Sequence, residues 1–263
     1  MVKIESIEQA SKLVFSYMKP GVLTNHVMTA GEYRDDIGRG VLFAHTWPGG
    51  VLFLRGREGC HQLSYYINDT SIFPACTVPD NTFIDIVCKR KRADDADKAL
   101  QFWVQAGFTH AFDRIRFTRP GGIGKLCGNE SVSLAGTNDI DECYRLIHDS
   151  FDRVTGYLPN YQELQESISE GNVFCLNGPN GEIHGLLRCI NKAASVEIRQ
   201  LVICEEKRGL GLARLLLSAF IAKYGDRKCT VWTLDGWHTP SIKTYTAAGF
   251  EWDGWFSYVL KAI

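Results

Sequence analysis

The sequence predicts an α/β protein of the α+β type, built on a mixed sheet and arranged in two similar halves. Its 263 residues suit one large domain or two small ones. Hydrophobic residues make up 45% of the chain and charged residues 22%, which is typical of a globular protein with a buried core. Residues 103–108 (Trp-Val-Gln-Ala-Gly-Phe) and 245–250 (Tyr-Thr-Ala-Ala-Gly-Phe) both precede an aromatic-rich strand. A glycine there can stop a helix in the left-handed conformation, so the repetition indicates related halves.

The first half is predicted to begin with a helix and to continue with strands. Ser6 and Gln9 have the spacing of a capping box, and the apolar residues that follow recur at helical spacing. Four strand-like runs follow, at residues 40–45, 51–55, 62–67 and 82–88. A helix over residues 93–105 and a strand over 111–118 complete this half.

The second half follows a glycine-rich segment around residues 120–129, which has the composition of a linker. Gly124-Lys125 lacks the Ser or Thr and the earlier glycine of a phosphate-binding loop, so we do not interpret it as one. The predicted order is a strand at 131–135, a helix from Thr137 or Asn138, a helix at 161–169, strands at 172–176, 183–190 and 195–203, a helix at 209–224, a strand at 228–234, a helix at 240–248, and a final strand around 255–260.

Composition excludes several classes of partner. The formal net charge of −1 gives no overall field that would attract nucleic acid or anionic membranes. No apolar run is long enough to span a bilayer, and no apolar stretch follows Lys3 as a signal peptide requires. The nine cysteines are odd in number and form no CxxC pair, which favours reduced thiols over disulfides or a zinc site. We expect a cytoplasmic protein with no metal, no nucleic acid and no membrane partner.

The most informative segment joins a strand to a helix through two glycines. Its residues are Arg208, Gly209, Leu210, Gly211, Leu212, Ala213 and Arg214. Unpaired amides and the helix dipole at such a helix start form an anion site, and the two arginines can add charge-assisted bonds. A dinucleotide fingerprint fits less well, because Arg214 stands where its third glycine belongs. An ordinary helix start with glycines is the plain alternative.

This segment resembles the R/Q-x-x-G-x-G/A motif of the GNAT superfamily of acetyl-CoA-dependent N-acetyltransferases. The resemblance implies the acyl-CoA N-acyltransferase fold, with two GNAT-like domains in tandem. It implies that residues 208–214 bind the pyrophosphate of coenzyme A, and that Leu201, Val202 and Ile203 pair with its pantetheine arm. His238 and Ser241 would complete the coenzyme site, although many members have asparagine where this chain has His238.

The resemblance also implies catalytic residues. Tyr245, followed by Gly249-Phe250, resembles the family's Y-x-x-x-G-F ending, whose tyrosine gives a proton to the departing thiolate. A phenol is a suitable donor at neutral pH, but a tyrosine that merely packs in the core is the alternative. Glu197 is a candidate base for the amine, His238 is a second, and the acceptor's own protonation equilibrium is a third possibility. A backbone amide near Val202 would bind the acetyl carbonyl.

The first half lacks both signatures. Trp103 stands at the position of Tyr245, and residues 68–81 contain Pro74 and Pro79, have no glycine, and are too short for a phosphate loop and helix. We therefore interpret residues 1–120 as a degenerate GNAT-like domain without a coenzyme site, and residues 130–263 as the acetyl-CoA-binding domain. Four tryptophans are candidates for lining an acceptor pocket: Trp232, Trp237, Trp252 and Trp255.

The resemblance implies an acyltransferase, an N-acetyltransferase that moves acetyl from acetyl-CoA to a primary amine by direct attack in a ternary complex. The expected partner is a small-molecule or peptide amine. Two alternatives stay open: a non-catalytic coenzyme-A-binding sensor or interaction module, and an acyltransferase with another acyl donor. The fold by itself does not determine the acceptor.

Overall fold

Thirteen strands and seven α-helices make up the computed structural model, which describes residues 1–26, 28–122, 131–154, 156–235 and 240–262. The chain divides into two compact units. The first contains Met1–Arg114 together with the chain from Trp255 onwards, and the second contains Ile115–Gly254. The sequence interpretation had placed everything from residue 130 to the end in one domain, whereas the last strand from Trp255 groups with the first unit.

The first unit is a mixed sheet with three helices. Its elements are β1 (Val2–Lys3), α1 (Ile7–Tyr17), β2 (Leu23–Thr24), α2 (Ala30–Gly38), β3 (Leu42–Trp47), β4 (Gly50–Arg57), β5 (Cys60–Ile67), β6 (Thr82–Lys89), α3 (Ala93–Gln105), and parts of β7 (Phe108–Arg119) and β13 (Glu251–Ala262). The strand order is β1-β3-β4-β5-β6-β13, and β2 pairs with β5. Only the β5–β6 pair among these is parallel.

Helix α2 and the two-residue strands β1 and β2 are the elements of the first unit that the apolar pattern did not reveal. Thr29 and Glu32 form a reciprocal cap: the Glu32 amide donates to Thr29 Oγ1 at 3.3 Å, and the Thr29 amide donates to Glu32 Oε2 at 2.8 Å. The Thr-x-x-Glu spacing is a recognisable start signal. The helix is mostly polar, so its weak amphipathic pattern hid it in the sequence.

The second unit has the same kind of sheet. Its elements are the rest of β7, β8 (Val132–Leu134), α4 (Ile140–Ser150), α5 (Tyr161–Ser169), β9 (Val173–Asn177), β10 (Ile183–Asn191), β11 (Val196–Ile203), α6 (Leu212–Tyr224), β12 (Cys229–Leu234) and α7 (Pro240–Ala247). The strand order is β8-β9-β10-β11-β12-β7, with β11 and β12 parallel. Leu186, Val202 and Ile147 belong to the core that joins this sheet to α4 and α5.

The two units repeat one order of elements. In each, three antiparallel strands are followed by a parallel neighbour and then by a helix: β3-β4-β5, β6 and α3 in the first, and β9-β10-β11, β12 and α7 in the second. The units differ in the chain segment that connects the two parallel strands. Helix α6 lies there in the second unit, whereas residues 68–81 of the first form neither helix nor strand. The predicted mixed α/β fold class is confirmed.

Three further findings concern the described residues. None of the helices in these parts of the chain is long and apolar enough to cross a membrane. The eight cysteines among them are all free thiols, and most of them are buried. Within the same ranges, no group of three or more His, Cys, Asp or Glu side chains is placed to hold a metal ion.

Candidate active site

The parallel strands β11 and β12 separate after a short paired region. They pair only at Val196–Ile198, against Cys229–Val231. Strand β11 nevertheless continues to Ile203, and β12 continues to Leu234. A cleft therefore opens between two parallel strands in the middle of the sheet, and the backbone groups along it have no strand partner on that side.

A β-bulge marks the closed end of this cleft. Arg188 pairs with Gln200 and Cys189 with Ile198, so Arg199 is an extra residue in β11. A bulge bends a strand and increases its twist, which separates β11 from β12. It also turns two successive side chains toward the loop between α4 and α5: Gln200 Nε2 donates to the carbonyls of Gly156 and Tyr157, both at 3.2 Å, and the Arg199 guanidinium lies 5.4 Å from the Tyr157 ring centroid.

The hydrogen-bonding register shows which backbone groups face the cleft. The Cys204 amide donates to the His184 carbonyl of β10 at 2.9 Å. Alternate residues of an antiparallel strand bond to the same neighbour, so Val202 also faces β10. Leu201 and Ile203 consequently direct their backbone groups into the cleft. The amides that face the cleft are therefore those of Leu201 and Ile203 rather than that of Val202.

The glycine-containing loop lies at the end of β11 and leads into α6. Gly209 and Gly211 have φ angles of 80° and 76°, a region that disfavours side chains, and a Cβ at either position would contact nothing within 4 Å. Helix α6 begins at Leu212, later than the predicted residue 209, with Gly211 as an N-cap that has no side chain. The Arg214 amide donates to the Gly211 carbonyl at 3.1 Å, and no side chain caps the start of this thirteen-residue helix, so the amides of Leu212 and Ala213 are available to an external acceptor.

The two arginines of this loop are exposed, as is Leu210 between the glycines, whose side chain is 68% exposed. Arg208 Nε donates to the Ile203 carbonyl at 3.2 Å, which fixes the loop to the end of β11. Arg214 lies in the first turn of α6, where its positive charge adds to that of the helix start. The predicted pyrophosphate residues are therefore contiguous and mostly exposed, and two of them are positively charged.

Tyr245 lies on α7 and is buried, with 6% of its surface exposed. Its ring packs at 5.9 Å against Phe250, the last residue of its motif. Burial raises the pKa of the Tyr245 hydroxyl above its usual value. The side chain is therefore a neutral hydrogen-bond donor at physiological pH. Ser241 lies exposed in the first turn of α7, and His238 lies outside the described residues.

Glu197 is buried within β11 and does not face solvent. Lys192 Nζ donates to its Oε2 at 2.5 Å, and Arg199 Nε lies 2.8 Å from its Oε1. Burial alone would raise the pKa of Glu197, but the positive charges of Arg199, Lys192 and Arg116 outweigh it and leave the pKa below its usual value. The carboxylate is ionised at neutral pH, and a cation contacts each of its oxygens.

Three of the four candidate pocket tryptophans lie in the described residues, two in the second unit and one in the first. Trp232 and Trp252 belong to the second unit and are half-buried, and the Arg116 guanidinium lies 5.7 Å from the Trp232 ring centroid. Trp255 belongs to the first unit, where Lys89 Nζ lies 5.4 Å from its ring centroid. Trp237 lies outside the described residues.

The first unit contains the counterpart of the cleft, but its own chain fills it. Strands β5 and β6 pair only at residues 61–63 and 82–84. Strand β2 pairs with the free edge of β5 beyond this point. Asn25 then bridges the two strands: Nδ2 donates to the Leu63 carbonyl at 3.2 Å and to the Asp85 carbonyl at 3.1 Å, and Oδ1 accepts from the Tyr65 amide at 3.0 Å. No local pattern in the sequence distinguishes Asn25 for this role.

Comparison with known proteins agrees with this geometry. Residues 140–250 match the model of the acetyltransferase (GNAT) family. None of the curated proteins matches the chain in sequence. Among solved structures, a GCN5-related N-acetyltransferase from Sphaerobacter thermophilus is similar over 81% of this chain and 76% of its own, with a TM-score of 0.56 and 14% identity.

Two other solved structures are similar over most of the chain. An acetyltransferase of the GNAT family from Colwellia psychrerythraea covers 98% of this chain and 97% of its own, with a TM-score of 0.55 and 13% identity. A tandem GNAT protein from the clavulanic acid biosynthesis pathway covers 84% and 83%, with a TM-score of 0.51 and 13% identity. At these identities, the similarity to solved structures shows the fold alone. The match to the family model lies within the second unit. The chain therefore carries a GNAT acetyltransferase domain at residues 140–250 and is an acyltransferase.

Proposed function

We propose that the protein is a cytoplasmic N-acetyltransferase that moves the acetyl group of acetyl-CoA to a primary amine of a small molecule or peptide. The observation that carries this proposal is the cleft between β11 and β12, which leads to the glycine loop at the start of α6. One end offers an extended amide chain the backbone groups of β11 that have no strand partner, and the other offers amides to a pyrophosphate. The free thiols of the described cysteines are consistent with a reducing compartment.

The residues of the cleft fit the acyl donor as a substrate. Leu201 and Ile203 would pair with the amides of the pantetheine arm in the manner of an added strand. The loop at residues 208–213 would bind the pyrophosphate, with Arg208 and Arg214 adding charge-assisted hydrogen bonds. Both glycines tolerate close approach of a phosphate, since neither carries a side chain.

The reaction is a direct transfer in a ternary complex. The amine nitrogen attacks the thioester carbonyl carbon, the C–N bond forms, and the C–S bond breaks with its electron pair leaving on sulfur. The proton that the nitrogen loses passes through solvent to the thiolate, which gives the amide and the free thiol. A thiol has an ordinary pKa of about 8.5 and a phenol of about 10. Because burial raises the pKa of Tyr245 further, we assign it a hydrogen bond to the departing thiolate rather than full proton transfer.

The acceptor amine must also lose the proton of its ammonium form before it can attack. An alkylammonium has an ordinary pKa of about 10, far above that of a glutamate. Glu197 is a weak base here, because its pKa is lowered and both of its oxygens contact cations. We therefore propose that the acceptor's own equilibrium supplies the neutral amine, and that Glu197 holds Lys192 and Arg199 at the closed end of the cleft.

The test is calorimetric titration of the full chain with acetyl-CoA. Gly211→Phe places a large side chain at the start of α6 and should abolish binding. Gly181→Phe is the matched control, because Gly181 also has a positive φ, of 88°, and open space around it, in the turn between β9 and β10. Undiminished binding by the Gly211 variant would overturn the assignment of the loop. Once binding is established, release of free thiol with a panel of amines tests the transfer.

A further inference from the structure

Charged side chains gather at the closed end of the cleft in the second unit. This apex cluster consists of Arg116, Lys192, Glu197, Arg199 and Asp253. Arg116 binds Asp253 Oδ2 through Nε at 2.9 Å and Nη2 at 2.6 Å. Lys192 and Arg199 contact the two oxygens of Glu197. Glu197 lies within the stretch of β11 that pairs with β12, and Arg199 is the first residue after it, so Arg199 borders the place proposed for the acyl group.

Positive charge is in excess there. The apex cluster has three cations and two carboxylates, and the buried Arg188 lies behind it. Arg188 donates to two neutral acceptors, Ser167 Oγ at 3.0 Å and Gln200 Oε1 at 3.1 Å. Burial and the nearby Arg199 lower the pKa of Arg188 to about 10, against the opposing effect of the Glu163 carboxylate, so Arg188 remains protonated at neutral pH. An acceptor whose only charge is a protonated amine is therefore repelled by the apex cluster and Arg188.

Arg199 is the cation best placed to contact a ligand. Its side chain is 26% exposed and stacks on Tyr157. Its Nε lies 2.8 Å from Glu197 Oε1, and within the described residues its two Nη atoms donate no hydrogen bond. Its guanidinium therefore keeps donors that match the two oxygens of a carboxylate. The loop beneath it is held in a specific shape, since Tyr157 has a φ of 51° and Gln200 binds its carbonyl.

We propose that Arg199 binds a carboxylate of the acceptor, so that the enzyme acetylates amines that carry a carboxylate close to the reacting nitrogen, as amino acids do. This rests on the proposed function. Arg199 precedes Leu201 by two residues of extended strand, a distance of roughly 7 Å. A carboxylate at Arg199 and an amine at the acyl group can therefore belong to one small molecule. The carboxylate also offsets the excess positive charge of the apex cluster and Arg188.

The test compares three forms of each acceptor: L-amino acids, their carboxamides, and the amines that lack the carboxyl group. Thiol release is measured at saturating acetyl-CoA and at equal concentrations of neutral amine, because the three forms differ in amine pKa. Wild type should prefer the carboxylates by at least about tenfold in kcat/KM, since a hydrogen bond to a charged group contributes at least that factor. Arg199→Gln should lose this preference, and Arg199→Lys should retain part of it.

Controls separate recognition from a structural effect. Arg92→Gln removes an arginine paired with Asp95 on the surface of the first unit and should leave every rate unchanged. Arg199→Gln should bind acetyl-CoA as wild type does. Equal use of all three acceptor forms by wild type, or an equal loss on all three in Arg199→Gln, overturns the proposal. So does a protein that binds acetyl-CoA but neither binds nor acetylates any carboxylate, whereas failure to bind acetyl-CoA overturns the proposed function itself.

Discussion

At the scale of single residues, burial and neighbouring charges change what Tyr245 and Glu197 can do. Both were candidates for proton transfer on the resemblance of their motifs. Burial raises the pKa of the Tyr245 phenol, and three cations hold the pKa of the Glu197 carboxyl below its usual value. The raised pKa makes Tyr245 a weaker acid, and the lowered pKa makes Glu197 a weaker base. At neutral pH the phenol therefore stays protonated and the carboxyl stays ionised. The two side chains are therefore better suited to binding charge than to moving protons.

Tyr245→Phe removes the proposed hydrogen bond to the leaving sulfur and should lower kcat by about tenfold or more, because that bond is made to a developing charge. Acetyl-CoA affinity should stay within about twofold, since the uncharged thioester gains little from the bond. Steady-state kinetics and calorimetry measure the two effects. Tyr224→Phe is the control: it removes another buried hydroxyl, which donates to Asn172 Oδ1 at 2.6 Å, and should leave kcat unaffected. An unchanged kcat in Tyr245→Phe would remove the residue from the mechanism.

Glu197 predicts a pH dependence of stability. Its pKa is lowered in the folded protein, so its contribution is present above the unfolded pKa of about 4.3 and is lost as pH falls through the folded value. Denaturant unfolding of wild type and Glu197→Gln should give a difference in free energy that is largest near neutral pH and shrinks in acid. Exposed Glu206→Gln is the control and should show no such trend. A difference that is constant from neutral pH into acid would contradict the ion-pair assignment.

At the scale of elements, one bulge and one glycine loop position the site. The extra residue Arg199 ends the pairing of β11 with β12 and turns two side chains toward the same loop. The glycine at position 211 ends the turn and starts α6 without a capping side chain. The strand supplies backbone groups for an extended ligand, and the helix supplies amides for an anion. Both contributions depend on backbone atoms that have no hydrogen-bond partner, and the pairing of the surrounding strands determines which atoms these are.

The glycine loop could be located from local residue order, because a helix start with two glycines has a distinctive pattern. Strands β3 to β6 and β9 to β12 were also predicted close to their observed bounds, because alternating apolar residues report burial on a sheet face. The bulge could not be located in this way. It depends on the register between β10 and β11, which no window within one strand contains.

At the scale of the whole molecule, two units with the same order of elements differ in what occupies the opening between their parallel strands. In the first unit, β2 and Asn25 satisfy the groups that the second unit leaves open. That unit also has no helix between the parallel strands to supply a phosphate site. We therefore expect the units to have different roles, with acetyl-CoA bound by the second.

Calorimetry should accordingly find one acetyl-CoA per chain. Asn25→Ala should destabilise the protein by about 2–4 kcal/mol, since it leaves two carbonyls and one amide without their partner, and it should still bind one acetyl-CoA. Asn180→Ala, in the exposed turn before β10, controls for the loss of an amide side chain. Two sites per chain in wild type would contradict the assignment of the first unit.

The sequence by itself determined the order of strands and helices, the repeated ending of the two halves, the glycine loop and the resemblance to the GNAT motifs. All of these are carried by residues close together in the chain. The tertiary structure alone decided that the last strand joins the first unit, that Asn25 fills the cleft of that unit, that cations hold Glu197, and that Arg199 borders the cleft. Each of these depends on contacts between residues distant in sequence or on the register between strands. Local residue patterns do not encode which distant partners will meet.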